Sequence, residues 1–233
     1  MPPRNLFLAI ALGALAVLAH PFAFAANALG AAGRGAGRLL GFMQSGARSR
    51  RDNRQWTEEL LRRLEWRRFQ ELCAAYFEAL GFRADLANAG AGGGISLYVE
   101  GYERASVFVQ CRPWSAHRIG IKPVRELRGA MTSANVGEGV LVTSGKFTQE
   151  ARDFAGKEKI SLVDGAELLG NITSLLPEKA LGLLELATRG DFATPTCPSC
   201  GIKMVARKST AHGRNHWGCR NYPACKQTFF ETV

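Results

Sequence analysis

The chain has 233 residues, of which 46% are hydrophobic and 21% charged, enough apolar material for a sizeable core and too much for a disordered chain. Thirty Lys and Arg against 20 Asp and Glu leave a formal charge of +10, which suits a polyanionic partner or an anionic membrane surface. A solvated basic surface without a specific partner is the plainer alternative.

No charged residue occurs between Arg4 and Arg34, and residues 6–25 are long enough to cross a bilayer core of about 30 Å as a helix. A single-pass anchor is the first reading. The rivals are a cleaved signal peptide, since Arg4, the apolar run and Ala23-Phe24-Ala25 imitate its three regions, and a buried helix. Arg34, Arg38, Arg48, Arg50, Arg51 and Arg54 follow the run, so the positive-inside rule places the body in the cytoplasm. Domain 1–30 is therefore expected as a membrane anchor. Domain 31–54, rich in Gly, Ala, Ser and Arg, reads as a flexible basic linker whose arginines face lipid head groups or DNA.

Residues 55–64 and 65–80 read as two helices or one bent one. Phe69, Leu72, Cys73, Tyr76, Phe77 and Leu80 recur at helical spacing, and Gly81 is a stop. Arg62, Arg63, Arg67 and Arg68 read as a solvated face, with a DNA contact as the minority view. A first strand at 82–86 leads to a Gly/Ala loop at 88–94, which lacks the Lys-Ser/Thr and the following helix of a phosphate-binding loop. Ile95-Ser96-Leu97-Tyr98-Val99 and Ser106-Val107-Phe108-Val109-Gln110-Cys111-Arg112 then alternate as the strands of a hairpin. Val107, Val109 and Cys111 share one face; Phe108, Gln110 and Arg112 share the other. Pro123 suits the first turn of a helix running to about 134, 139–143 is an apolar strand, 147–157 a helix, and 160–163 a further strand. Asp164 caps a helix through 169, a last helix covers 181–187, and 188–196 reads as a second linker. Alternating strands and helices point to an α/β fold with the sheet buried on both sides. His117 reads as a polar loop residue, and Cys73 and Cys111 as buried thiols in a reducing compartment.

The hairpin resembles the strand pair of the Mrr-type restriction endonuclease domain, a branch of the PD-(D/E)xK nucleases, in which a G-I-D motif is followed by Q-x-K. Here Ile95-Ser96 stands at Ile-Asp, and Gln110-Cys111-Arg112 at Gln-x-Lys. Further landmarks in the family's order are Trp66-Arg67-Arg68-Phe69-Gln70-Glu71-Leu72, Leu80-Gly81-Phe82, Val124-Arg125-Glu126-Leu127-Arg128-Gly129, Val142-Thr143-Ser144-Gly145-Lys146-Phe147-Thr148 and Ile160-Ser161-Leu162-Val163-Asp164-Gly165. The resemblance implies a restriction-endonuclease-like mixed sheet flanked by helices over 55–187, double-stranded DNA as partner, and Gln70, Ser96, Gln110 and Arg112 at the catalytic positions. Those positions are degenerate. Magnesium takes hard, preferably charged oxygen ligands, whereas Ser96, Gln70 and Gln110 are neutral. Arg112 keeps a positive charge but does not give up its proton, although it grips a phosphate in two places. A non-cleaving DNA-binding domain is therefore expected. Metal-dependent cleavage through a rearranged site, with magnesium, and a protein-interaction module are the alternatives.

Cys197-Pro198-Ser199-Cys200 and Cys219-Arg220-Asn221-Tyr222-Pro223-Ala224-Cys225 present four thiolates at the spacing of a structural zinc ion. A Cys2His2 site using His212 and His216 would strand Cys219 and Cys225, and disulfides would require export. The segment 197–233 closely resembles the zinc ribbon at the end of bacterial topoisomerase I, which implies zinc and single-stranded DNA binding and, with the anchor, a bacterial inner-membrane location. Lys203, Arg207, Lys208, Arg214, Arg220 and Lys226 face a single acid, Glu231, and Trp217, Tyr222, Phe229 and Phe230 are its aromatics. Trp217 and Tyr222 are the expected stacking surfaces.

Overall fold

Two N-caps start the described part of the chain. In this computed structural model the described residues are 55–86, 95–100, 106–113, 118–133, 135–208 and 215–230. The apolar run 6–25, the linker 31–54, the loop 88–94 and His117 lie outside them. Among the described residues no helix is long and apolar enough to cross a membrane.

Thr57 accepts from the Leu60 amide and opens α1 (Glu58–Arg63), with acids in its first turn and arginines in its last, matching the helix dipole. Leu64 and Glu65 are extended, so the chain makes two helices rather than one bent one. The Glu65 side chain then accepts from the Arg67 amide to open α2 (Trp66–Ala79). Gly81 follows the Leu80 cap at φ 92°, the left-handed geometry that ends a helix at lowest cost in glycine.

Five strands pair in sequence order: β1 (Arg83–Leu86), β2 (Ile95–Glu100), β3 (Ser106–Arg112), β4 (Glu138–Thr143) and β5 (Ile160–Val163). The first two pairings are antiparallel and the last two parallel. This is the mixed sheet that the resemblance implied. Between the parallel strands run α3 (Ile121–Ser133) and α4 (Gln149–Lys157), the latter capped by Thr148. After β5, Asp164 caps α5 (Gly165–Thr173), and Pro177 starts α6 (Pro177–Thr188). The last helix is thus longer than the sequence pattern suggests, because proline fits its first turn.

Strand alternation sorts the core into two layers. Val107, Val109, Cys111, Val140 and Val142 pack under α2, α5 and α6, with Phe69, Leu72, Leu168, Ile172 and Leu183. Phe108, Leu141 and Ile160 pack under α3 and α4, with Val124, Leu127, Met131 and Ala151. The sheet is therefore covered on both faces, as parallel strands require.

A second, antiparallel sheet follows, built from β6 (Val205–Lys208), β7 (Asn215–Gly218) and β8 (Thr228–Phe230). Its small core is Cys197, Met204 and Cys219, with Ile202, Trp217 and Phe229 against it. The sequence reads 188–196 as a linker; the structure ties that stretch to the N-terminal end of α2. The Glu65 amide donates to the Phe192 carbonyl at 2.9 Å, and Arg68 donates to the carbonyls of Leu186 and Arg189 at 2.8 and 3.1 Å.

Candidate functional site

The hairpin register places Ser96 opposite Gln110 and Ile95 opposite Cys111. Because Val109 and Cys111 face α2, alternation turns Gln110 and Arg112 toward the layer of α3. There Arg112 Nη2 donates to Glu126 Oε2 at 2.6 Å, a charge-assisted bond between α3 and β3. The Gln110 side-chain oxygen is buried without a partner among the described residues. Gln70 arrives from α2, on the opposite layer. It is 0% exposed, and both ends of its amide lack a partner among the described residues. One turn further along α2, Cys73 touches Cys111; burial and that neighbour push the Cys73 thiol well above the ordinary range, which makes it an inert packing group.

Two of the expected catalytic positions, Gln110 and Arg112, thus share a surface with the backbone of Ser96, while Gln70 enters from the other layer. On that surface the described side chains are the neutral amide of Gln110 and the guanidinium of Arg112, the latter paired with the Glu126 carboxylate. Glu126 is the residue that sequence reading missed. It lies among the family landmarks, but only the packing of α3 beside β3 shows that it meets Arg112.

Among the described residues, one cluster has the donor set of a metal site. The Sγ atoms of Cys197, Cys200, Cys219 and Cys225 all lie within 4.8 Å of one another, and Cys197 and Cys225 are 3.7 Å apart. A tetrahedron with Zn–S bonds of about 2.3 Å has edges of about 3.8 Å, the length the Cys197–Cys225 edge already has, so the four thiols have the donor set and grouping of a structural zinc site. The Asn221 amide approaches Cys219 Sγ at 3.4 Å, the kind of outer contact that orients a ligating sulfur. His216 stands on β7 opposite Arg207 and is not part of the cluster, which the four thiols form without it; His212, the other histidine of the Cys2His2 alternative, lies outside the described residues. The free thiols likewise form no disulfide.

Around this centre the expected nucleic-acid contacts divide. Tyr222 is 61% exposed, with the Arg207 guanidinium 5.4 Å above its ring. Arg207 reaches it by lying across Gly218, where a Cβ would come within 2.8 Å of the arginine Cδ and Nε. Lys208, Arg220 and Lys226 are exposed, and Arg214 lies outside the described residues. Trp217 differs in part from expectation: on β7 it is half-buried, packed against the small core around Met204. Lys203 differs too: its ammonium is held by Glu65 at 3.1 Å and by the Thr194 carbonyl at 2.8 Å.

Solved structures with partial likeness include EndoMS in apo form (19% identity, TM-score 0.34, 40% of this chain and 44% of that one). The modification-dependent DNA restriction endonuclease AspBHI gives 19% identity, a TM-score of 0.39, and coverage of 55% and 38%. MspJI restriction endonuclease in complex with a 27-mer oligonucleotide gives 19%, 0.35, and 57% and 34%. The chain therefore spans less than half the length of each of these. None of the curated proteins matches the chain. Two family models match it in tandem: residues 61–172 match the Mrr-type model described as a restriction endonuclease, and residues 194–232 match the model described as a topoisomerase DNA binding C4 zinc finger.

Proposed function

We infer that the chain is a DNA-binding protein in which a nuclease-like unit holds DNA without cutting it and a zinc ribbon engages single strands. The observation that carries this reading is the state of the strand pair. Where the resembled motif has carboxylates, Ser96 offers a hydroxyl and Gln70 a neutral amide, and Arg112, at the place of the lysine, is paired with Glu126 at 2.6 Å. Binding is supported by the formal charge of +10, by the exposed Arg207–Tyr222 pair and by a ribbon whose family model is described as DNA-binding. The full-length chain, incubated with supercoiled plasmid and magnesium or manganese, is expected to shift the DNA and leave it uncut. Metal-dependent nicking that disappears in Arg112→Ala or Gln110→Ala overturns the reading.

One observation favours a second reading, cleavage through a rearranged site. Glu126 supplies a carboxylate against Arg112. On this reading nicking occurs, and Glu126→Gln abolishes it while DNA is still retained.

The apolar run 6–25 and the arginines from Arg34 to Arg54 support a single-pass tether at the bacterial inner membrane with the body in the cytoplasm. Extraction of the chain from membranes by alkaline carbonate would defeat that part of the proposal.

A further inference from the structure

The α/β body and the ribbon meet at one deeply buried carboxylate. The Glu65 side chain is 3% exposed, a position a carboxylate keeps only when its oxygens are satisfied. Oε1 accepts from Thr196 Oγ1 at 2.9 Å and from Lys203 Nζ at 3.1 Å. Oε2 accepts from the Thr196 amide at 3.2 Å and from the Arg67 amide, in the first turn of α2, at 3.0 Å. Beside it, Trp66 Nε1 donates to the Thr196 carbonyl at 2.6 Å.

The two ribbon residues that hold Glu65 are partners of each other. Thr196 and Lys203 face across an antiparallel bridge, and the hairpin they close is Cys197-Pro198-Ser199-Cys200-Gly201-Ile202, one half of the thiol cluster. Within it, the Cys197 amide donates to the Ile202 carbonyl and the Gly201 amide to the Cys197 carbonyl, both at 2.8 Å. Two thiols for the metal and two donor residues for Glu65 therefore sit on one short hairpin. A module whose core is little more than Met204 and its neighbours relies on its metal for order.

The geometry points to Glu65 as a positioning residue that couples zinc occupancy of the ribbon to the order of the first turn of α2. With metal bound, the hairpin holds Thr196 and Lys203 in register for the carboxylate. With metal removed, the register is lost, and a buried charge is left with only the Arg67 amide. The effect passes into the helix that carries Gln70. Linkage makes the coupling reciprocal: Glu65 must stabilise bound zinc by the same factor by which zinc stabilises its contacts. The inference rests on the zinc reading of the four thiols and not on DNA binding.

The test uses the zinc-loaded full-length chain. Its zinc content is measured first, and well under one zinc per chain sinks the metal reading and the coupling with it. Zinc transfer to a colorimetric chelator is then timed for the parent, Glu65→Gln, Lys203→Met and the double variant. Each single variant is expected to release zinc about tenfold faster, and the double variant no faster than the quicker single, because both act on one latch. Amide exchange at 66–70 should rise on zinc removal in the parent, and should already be raised in zinc-loaded Glu65→Gln. Parent-like release from both single variants, or additive rates in the double, overturns the coupling. Should Glu65→Gln not fold, Lys203→Met decides by the same release criterion.

Discussion

Arg112 shows how one contact changes what a residue does. A guanidinium at the end of the motif is a natural grip for phosphate, yet Glu126 already occupies it at 2.6 Å, and DNA must displace an internal carboxylate to use it. Glu126→Gln should therefore tighten DNA binding, by about threefold to tenfold given a pair that is partly open to solvent. In an Arg112→Ala background the same change should do little. Equal gains in both backgrounds, read by filter binding, would mean that only net charge matters. Tyr222 is the other informative residue. It is exposed and carries Arg207 over its ring, so truncation costs stacking without opening a core. Tyr222→Ala should weaken binding to oligo(dT) by about 1 to 3 kcal/mol with little change in the melting temperature. Unchanged affinity would remove it from the interface.

At the scale of elements, α2 is the most committed part of the fold. It packs Phe69, Leu72, Cys73, Tyr76 and Phe77 against the sheet, and its N-cap is Glu65. Burial pushes the Tyr76 phenol up to about 12 from 10.0, with the Cys73 thiol and Glu167 adding to the shift. The folded state thus favours the neutral phenol. Its contribution is fully present below about pH 10, where the unfolded phenol titrates, and is lost as pH climbs toward 12. Comparing Tyr76→Phe with the parent in urea, the stability difference should stay flat to about pH 10 and then shift in the variant's favour. A difference independent of pH would show that the phenol titrates normally. The pairing of α3 with β3 through Arg112 and Glu126 is the equivalent commitment on the opposite face.

At the scale of the molecule, charge and the junction between its two units set the behaviour. A chain of formal charge +10 that binds DNA releases counterions, and its affinity falls with salt. Were the four exposed ribbon cations Arg207, Lys208, Arg220 and Lys226 each to meet one phosphate of a single strand, log K against log salt would slope at about −3, from about −0.7 per contact. A flat response points to a protein-interaction module. The junction itself, from Leu186 to Lys203, is fastened to Glu65 and α2 by backbone and side-chain bonds, so the ribbon is not carried on a loose tether.

The sequence alone determined the features that repeat with a period or a fixed spacing. The β2–β3 hairpin, the sorting of Val109 and Phe108 to opposite faces, the cap at Asp164 and the four-cysteine cluster follow from alternation, capping chemistry and metal-ligand spacing. These are local rules, enforced within a few residues of chain. Tertiary structure decided what distant residues meet. Arg112 and Glu126 are 14 positions apart, and Glu65 lies 131 positions from Thr196 and 138 from Lys203. No spacing along the chain encodes such encounters. They depend on how helices lie over the sheet and how a small metal module seats on a helix end, so the pairing of Arg112 with Glu126 and of Lys203 with Glu65 was settled by packing.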